Sequence, residues 1–296
     1  MDPDNIGIIV LAHGSRRGFT KNECSCTLVP NGNYTCTDDI PWCLECPDTA
    51  KGVSELRDMI QDKIDNDNDN DNDNVTVISS FLEFLEPDPF EAVDQLTSEG
   101  VNNIVIFPFL LGNGKHATLE MEELKEDLCS KHPEIILNIT EGIGADFRLA
   151  SVIKDRANVV LEDSVTNETQ GIIIVKAGTK TEYDDCLWLN DLCLEVQKQL
   201  KDSYVITYAQ SHFGLPEIDE RTNHLIEQYG ATRITFVPYV FFPGLILQRN
   251  IMGSINKYQQ LFPDMEFALC PPLGITSELC DIAIDRVSSA LQVSFE

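Results

Sequence analysis

The sequence predicts two tandem doubly wound α/β domains, each built on a parallel sheet with helices on both faces. Three observations carry that expectation. Short apolar runs alternate with longer segments of helical period. Runs such as "GIIVLA", "NIVIFPF" and "GIIIV" are apolar throughout, as in strands buried on both faces, where a half-exposed strand would alternate. The chain also repeats itself. "GIIVLAHGSR" from Gly7 reads against "GIIIVKAGTK" from Gly171 at an offset of 164, and "GVNNIVIFPFLLGNGKH" from Gly100 reads against "GATRITFVPYVFFPGLI" from Gly230 at an offset of 130. The second offset also places Gly144 on Gly274 and Asp155-Arg156 on Asp285-Arg286, so the expected division is 1–164 and 165–296.

The elements follow in order. In the first half, strands are expected near 6–12, 75–81, 103–109 and 135–139, with helices near 51–64, 88–99, 117–131 and 146–162. The second half gives strands near 171–176, 203–209, 233–240 and 265–269, with helices near 183–201, 216–229, 246–261 and 275–291. The fall in offset from 164 to 130 puts 34 extra residues between the first and third strands of the first half. Two segments hold them: a cysteine-rich stretch near 18–50 and the tract "DNDNDNDNDN" at 65–74. The tract is acidic, polar and of low complexity, and such a composition buries no core. Two small sheets facing each other would leave a cleft between their strand C-termini, the edge at which open α/β sheets bind ligands.

Composition narrows the partners. A chain of 296 residues with 43% hydrophobic content can bury one large or two modest cores. A formal charge of −28 excludes nucleic acid as a partner, because phosphate binding rests on clustered Lys and Arg. An anionic ligand would need its own local positive field, and Arg16 and Arg17, just after the first strand, are the candidates. No apolar stretch reaches membrane-spanning length and the first residues lack a basic n-region, so the cytosol is the default compartment. Five of the ten cysteines, Cys24, Cys26, Cys36, Cys43 and Cys46, crowd into one segment that fits a disulfide-stapled loop, a zinc site or iron–sulfur ligands. N-x-[ST] sequons at Asn33, Asn74, Asn138 and Asn167 tilt the balance toward disulfides and keep a secretory or organellar location open. The scattered Cys129, Cys186, Cys193, Cys270 and Cys280 read as small buried hydrophobes.

The chemistry-bearing residues gather at strand ends. His13 ends the first strand in Ala12-His13-Gly14-Ser15, and His116 follows the third strand after Gly112 and Gly114. The first and third strands of a doubly wound sheet are commonly neighbours, so two imidazoles converge at the switch point. Glu83 in "SSFLEFLEP" closes the second strand at the same edge. A His-His-Glu set with open positions suits cobalt, iron or nickel, and the carboxylate can ligate or take protons. In the second half the equivalent positions are Ala177 and Ile246; both imidazoles are absent together, as befits a pair. His132 reads as a surface residue at a helix end and His224 as a mid-helix one, while His212 in "AQSHFGLPE" is a candidate to face the cleft opposite Glu83.

"LAHGSR", "FLEFLEP", "FPFLLGNGKH", "VPYVFFPGLILQRNI" and "PPLG", in that order, resemble the class II tetrapyrrole chelatases of the sirohydrochlorin cobaltochelatase and ferrochelatase family, in the long tandem form. The likeness covers both halves outside the two insertions. It implies chelatase-like, flavodoxin-type domains and ATP-independent insertion of a divalent metal into sirohydrochlorin or a related polycarboxylated tetrapyrrole, as in siroheme and cobalamin biosynthesis. On the matching positions His13 and His116 would bind the metal, Glu83 would be the family's acid, Glu120 would stand one helical turn after the second histidine, and Ser15, Arg16 and Gly114 would contact the ligand. A monomer with an internal pseudo-dimer is expected, since two fused halves supply the cleft. The competing reading is a carrier that holds metal or tetrapyrrole without turnover.

Overall fold

The computed structural model describes residues 5–14, 49–66, 74–112, 114–161, 168–180, 182–243 and 246–291. The first repeat runs β1 (Ile6–Ala12), α1 (Thr49–Asn66), β2 (Val75–Phe81), α2 (Pro89–Ser98), β3 (Asn103–Pro108), a 3₁₀ turn (Lys115–Ala117), α3 (Leu119–Lys131), β4 (Ile136–Ile139) and α4 (Leu149–Asn158). The second runs β5 (Gln170–Lys176), α5 (Trp188–Lys198), β6 (Tyr204–Gln210), α6 (Ile218–Tyr229), β7 (Arg233–Tyr239), a π-helical turn (Ile246–Ile251), α7 (Met252–Leu261), β8 (Glu266–Leu269) and α8 (Ser277–Leu291). All eight expected strands form, in two four-stranded parallel sheets ordered β2-β1-β3-β4 and β6-β5-β7-β8.

The strand order explains the burial. β1, β5 and β7 lie inside their sheets and bury nearly every residue, which is why their sequences show no alternation. β2 is an edge strand, and α1 covers its open groups with one side chain. The Gln61 amide donates to Val75 O at 3.1 Å and accepts from Val77 N at 2.9 Å. One core packs Ile9, Leu11, Leu96, Ile104 and Ile106; the other packs Ile173, Val175, Leu225, Ile234 and Phe236. α2 starts on a capping box in which Asp88 accepts from Glu91 N at 2.8 Å and Glu91 accepts from Asp88 N at 3.0 Å.

Helix boundaries depart from expectation where side chains claim the backbone. The helix expected from 183 starts at Trp188, because Asp184 Oδ1 accepts from Cys186 N at 2.8 Å and holds the preceding residues in a turn. The helix expected from 246 opens as a π turn before it becomes α7. His132 does end α3, but it is a buried residue and not a surface one: its Nε2 lies 3.0 Å from Asp94 Oδ1, while His224 is exposed in mid-helix. Cys186, Cys193, Cys270 and Cys280 are buried free thiols, and Cys129 is half-buried.

Compact units do not follow the chain order of the repeat. One unit contains β1 to β4 with α1 to α3 and the last helix, α8; the other contains β5 to β8 with α4 to α7. Each repeat thus contributes its terminal helix to the other's unit. In the first unit Lys63 of α1 pairs with Asp281 of α8 at 2.6 Å, and Arg286 lies 3.7 Å from Asp146. In the second, Arg156 of α4 donates to Leu273 O at 2.9 and 2.6 Å, and Arg233 donates to Val160 O at 2.5 Å. Arg156 and Arg286 are repeat equivalents, so the same residue secures each exchange. A cut at 164/165 describes the repeat, whereas the compact units divide at 146/147 and 274/275.

Candidate functional site

Parallel pairing of β1 with β3 puts their C-terminal ends side by side in the first unit. His13 follows the last residue of β1, and His116 sits in the 3₁₀ turn beyond β3. Their ring centroids are 4.7 Å apart, edge to face at 87°. Each Nδ1 meets an oxygen that can only accept: His116 Nδ1 lies 2.5 Å from Glu120 Oε2, and His13 Nδ1 lies 3.2 Å from Gly14 O. Nδ1 therefore carries the proton in the neutral rings and each Nε2 keeps its lone pair, the arrangement that an outer carboxylate or carbonyl imposes on a ligating histidine. Desolvation pulls the Glu120 carboxyl upward, but hydrogen bonds from His116 and from Lys115, 3.1 Å away, outweigh it and hold its pKa below the usual value.

The second strand feeds the same edge. Glu83 N donates to His13 O at 2.9 Å, so backbone ties the two residues, while the Glu83 side chain is exposed. Gly14 makes this approach possible. Its φ is +87°, and a Cβ there would lie 1.8 Å from Glu83 O. Among the described residues no third His, Cys, Asp or Glu closes a ligand set around the histidines. Gly114 caps the 3₁₀ turn, its carbonyl accepting from Ala117 N at 2.9 Å. Ser15, Arg16, the cysteines at 24, 26, 36, 43 and 46, and residues 67–73 of the Asp-Asn tract lie outside the described residues, while Asp65 and Asn66 end α1.

The second unit keeps the frame and changes the groups. Ala177 and Ile246 stand where the histidines would be, as expected, and Gly178 packs against His212 O as Gly14 does against Glu83 O. His212 is therefore the counterpart of Glu83. Ser211 Oγ lies 2.6 Å from His212 Nδ1, Asn250 Nδ2 lies 3.4 Å from it, and a pocket of about 340 Å³ opens beside them. Burial, with help from the Lys176 charge, pushes the His212 pKa below its ordinary value. Lys176 itself is buried at the end of β5, with Nζ 2.9 Å from Thr179 Oγ1 and 4.0 Å from Asp184. Pattern singled out His212 but not its partners Ser211, Asn250 and Lys176. A signal for the match of His212 to Glu83 is that "EFLEP" and "HFGLP" share Phe and Pro at an offset of 129.

A duplicated four-stranded parallel unit, one copy carrying a histidine pair at its strand switch point, defines a class II chelatase in tandem form. The chain belongs to the CbiX family: the CbiX family model matches residues 45–160 and again 171–290. The first match begins near the end of the cysteine-rich segment, and β1 with His13, which precedes it in the chain, joins it in space by pairing with β2 and β3. The chain is 23% identical over 223 residues to a sirohydrochlorin cobaltochelatase of Priestia megaterium, covering 74% of this chain and 70% of that one. It is 24% identical over 216 residues to a sirohydrochlorin ferrochelatase of the same organism, covering 71% and 76%. SirB from Bacillus subtilis, solved with Fe3+, has the same fold, with a TM-score of 0.65 at 17% identity over 99% of this chain and 100% of that one. No helix among the described residues is long and apolar enough to cross a membrane.

Proposed function

We propose that this chain inserts a divalent first-row metal, cobalt, iron or nickel, into sirohydrochlorin or a close polycarboxylated relative without ATP. The observation that carries the reading is the pair of imidazoles whose rings meet at 4.7 Å while both Nδ1 atoms are engaged by acceptors. Relatives named for cobalt and for iron insertion into sirohydrochlorin support the substrate.

Insertion needs a metal held loosely and two protons removed from pyrrole nitrogens. His13 and His116 offer two Nε2 lone pairs to the incoming ion, and water fills the remaining positions. Two imidazoles release an ion more readily than the closed four-ligand cage of a structural zinc site. Glu120 holds the His116 ring in its productive tautomer. Glu83, exposed at the same edge, or an imidazole freed as it gives up the ion, accepts the two protons as the pyrrole nitrogens replace protein ligands. Ser15, Arg16 and Gly114 contact the ligand, Arg16 giving an anionic substrate a local positive charge on an acidic protein.

The test is anaerobic mixing of purified protein with sirohydrochlorin and Co(II), Fe(II) or Ni(II), followed by absorption. Insertion faster than the spontaneous rate, lost in the His13→Ala, His116→Ala double variant and kept in His132→Ala, is the expected result. Macrocycle bound but not metallated with any of the three ions would make the chain a carrier and overturn the reading.

A further inference from the structure

A second feature of the same edge is absent from the metal chemistry. Phe84 follows Glu83 with φ +67°, and Leu85 N donates back to Glu83 O at 2.9 Å. That is a γ-turn of the positive-φ kind, rare and strained, and a bulky side chain at its apex is an outlier. The turn recurs in the second unit: Phe213 has φ +62°, and Gly214 N donates to His212 O at 2.9 Å. Both apex rings are turned outward, Phe84 being 50% and Phe213 77% exposed. Each also lies beside a histidine, with centroids 6.5 Å apart for Phe84 and His13, and 4.5 Å for Phe213 and His212.

Packing does not account for this arrangement. A glycine would adopt the same φ without strain, and a half-exposed ring gains little burial in exchange. Metal binding does not account for it either, because the second unit keeps the strained phenylalanine where the paired histidines are replaced by Ala177 and Ile246. Strain that persists at a ligand-binding edge is a pointer to function. An exposed aromatic face at that edge fits a planar, conjugated ring system, which stacks on it while its carboxylates stay in water.

We propose that Phe84 is a substrate-positioning residue whose ring stacks against the tetrapyrrole macrocycle beside the histidine pair, with Phe213 the retained counterpart of the same device. The assignment rests on the tetrapyrrole reading above. It separates two tasks at one edge: the imidazoles hold the ion, and the phenylalanine holds the ring.

The test compares wild type with Phe84→Gly and Phe84→Tyr. Sirohydrochlorin affinity is measured without metal, Co(II) affinity without macrocycle, and melting temperature and steady-state rates alongside. Phe84→Gly is expected to weaken macrocycle binding and raise KM on the order of tenfold, with Co(II) affinity unchanged and melting temperature equal or higher. Phe84→Tyr, which keeps the ring, restores affinity. Unchanged macrocycle affinity in Phe84→Gly overturns the assignment and leaves the chelatase reading intact. Weakened Co(II) binding with intact macrocycle binding also overturns it, and makes Phe84 a support for His13. A wild type that neither binds nor converts sirohydrochlorin overturns both.

Discussion

Glu120 decides how His116 presents itself, because a 2.5 Å contact to Nδ1 fixes which ring nitrogen is left for a ligand. Glu120→Ala should cost about 10- to 100-fold in metal affinity or turnover, with Glu120→Gln between it and wild type, as read by Co(II) titration and initial rates. Gly14 is equally constrained. Gly14→Ala would drive a Cβ into Glu83 O, so the variant should lose chelatase activity even where it remains folded by circular dichroism. His212 gives a pH signature away from the histidine pair. Its folded pKa is lowered, by burial first and the Lys176 charge second, so the unfolded chain takes up its proton first as pH falls below the ordinary value of 6.5. The contribution of His212 to stability is thus kept above about pH 6.5 and declines below it. A His212→Gln variant should show a flatter stability curve in that range; an unchanged curve would remove His212 as its source.

At the scale of elements, most of the fold is legible because each signal is local. The continuous apolar runs of β1, β5 and β7 predict strands buried on both faces, and the structure buries them so. The second strand's loop was not legible: nothing in "FLEFLEP" announces that Phe84 sits at positive φ at the apex of a tight turn closed by Leu85 N and Glu83 O. The start of α5 was misplaced for a similar reason, the side chain of Asp184 competing for backbone donors. α2 anchors the far side of the Glu83 loop through its capping box. Asp88→Ala should lower stability by about 1 kcal/mol in denaturant titration and leave metal affinity unchanged.

At the scale of the molecule, the exchange of terminal helices couples the repeats through the chain itself. α8 buries Leu279, Ile282, Ile284 and Val287 within the first unit, a contribution of roughly 6–12 kcal/mol at about 1.5–3 kcal/mol for each large apolar side chain. That is comparable to the whole stability of a typical domain, about 5–15 kcal/mol. Removing residues 275–296 should therefore abolish the histidine site, although no residue of the site is deleted. Residues 1–164 expressed alone should be poorly folded and recover when residues 165–296 are co-expressed, with solubility and hydrogen exchange as the readout. An independently stable 1–164 fragment would show that α8 is dispensable.

By itself the sequence determined the two parallel sheets, the duplication and the strand ends at which His13, His116 and Glu83 fall. These follow from the period of apolar residues and from self-similarity, both written in consecutive positions. Tertiary structure alone decided how closely the two imidazole rings approach, that Gly178 closes on His212 O as Gly14 closes on Glu83 O, and that each repeat completes the other's unit. Those outcomes depend on strand order, a left-handed turn and the destination of a helix. Each joins residues far apart in the chain, where no local preference can register the contact.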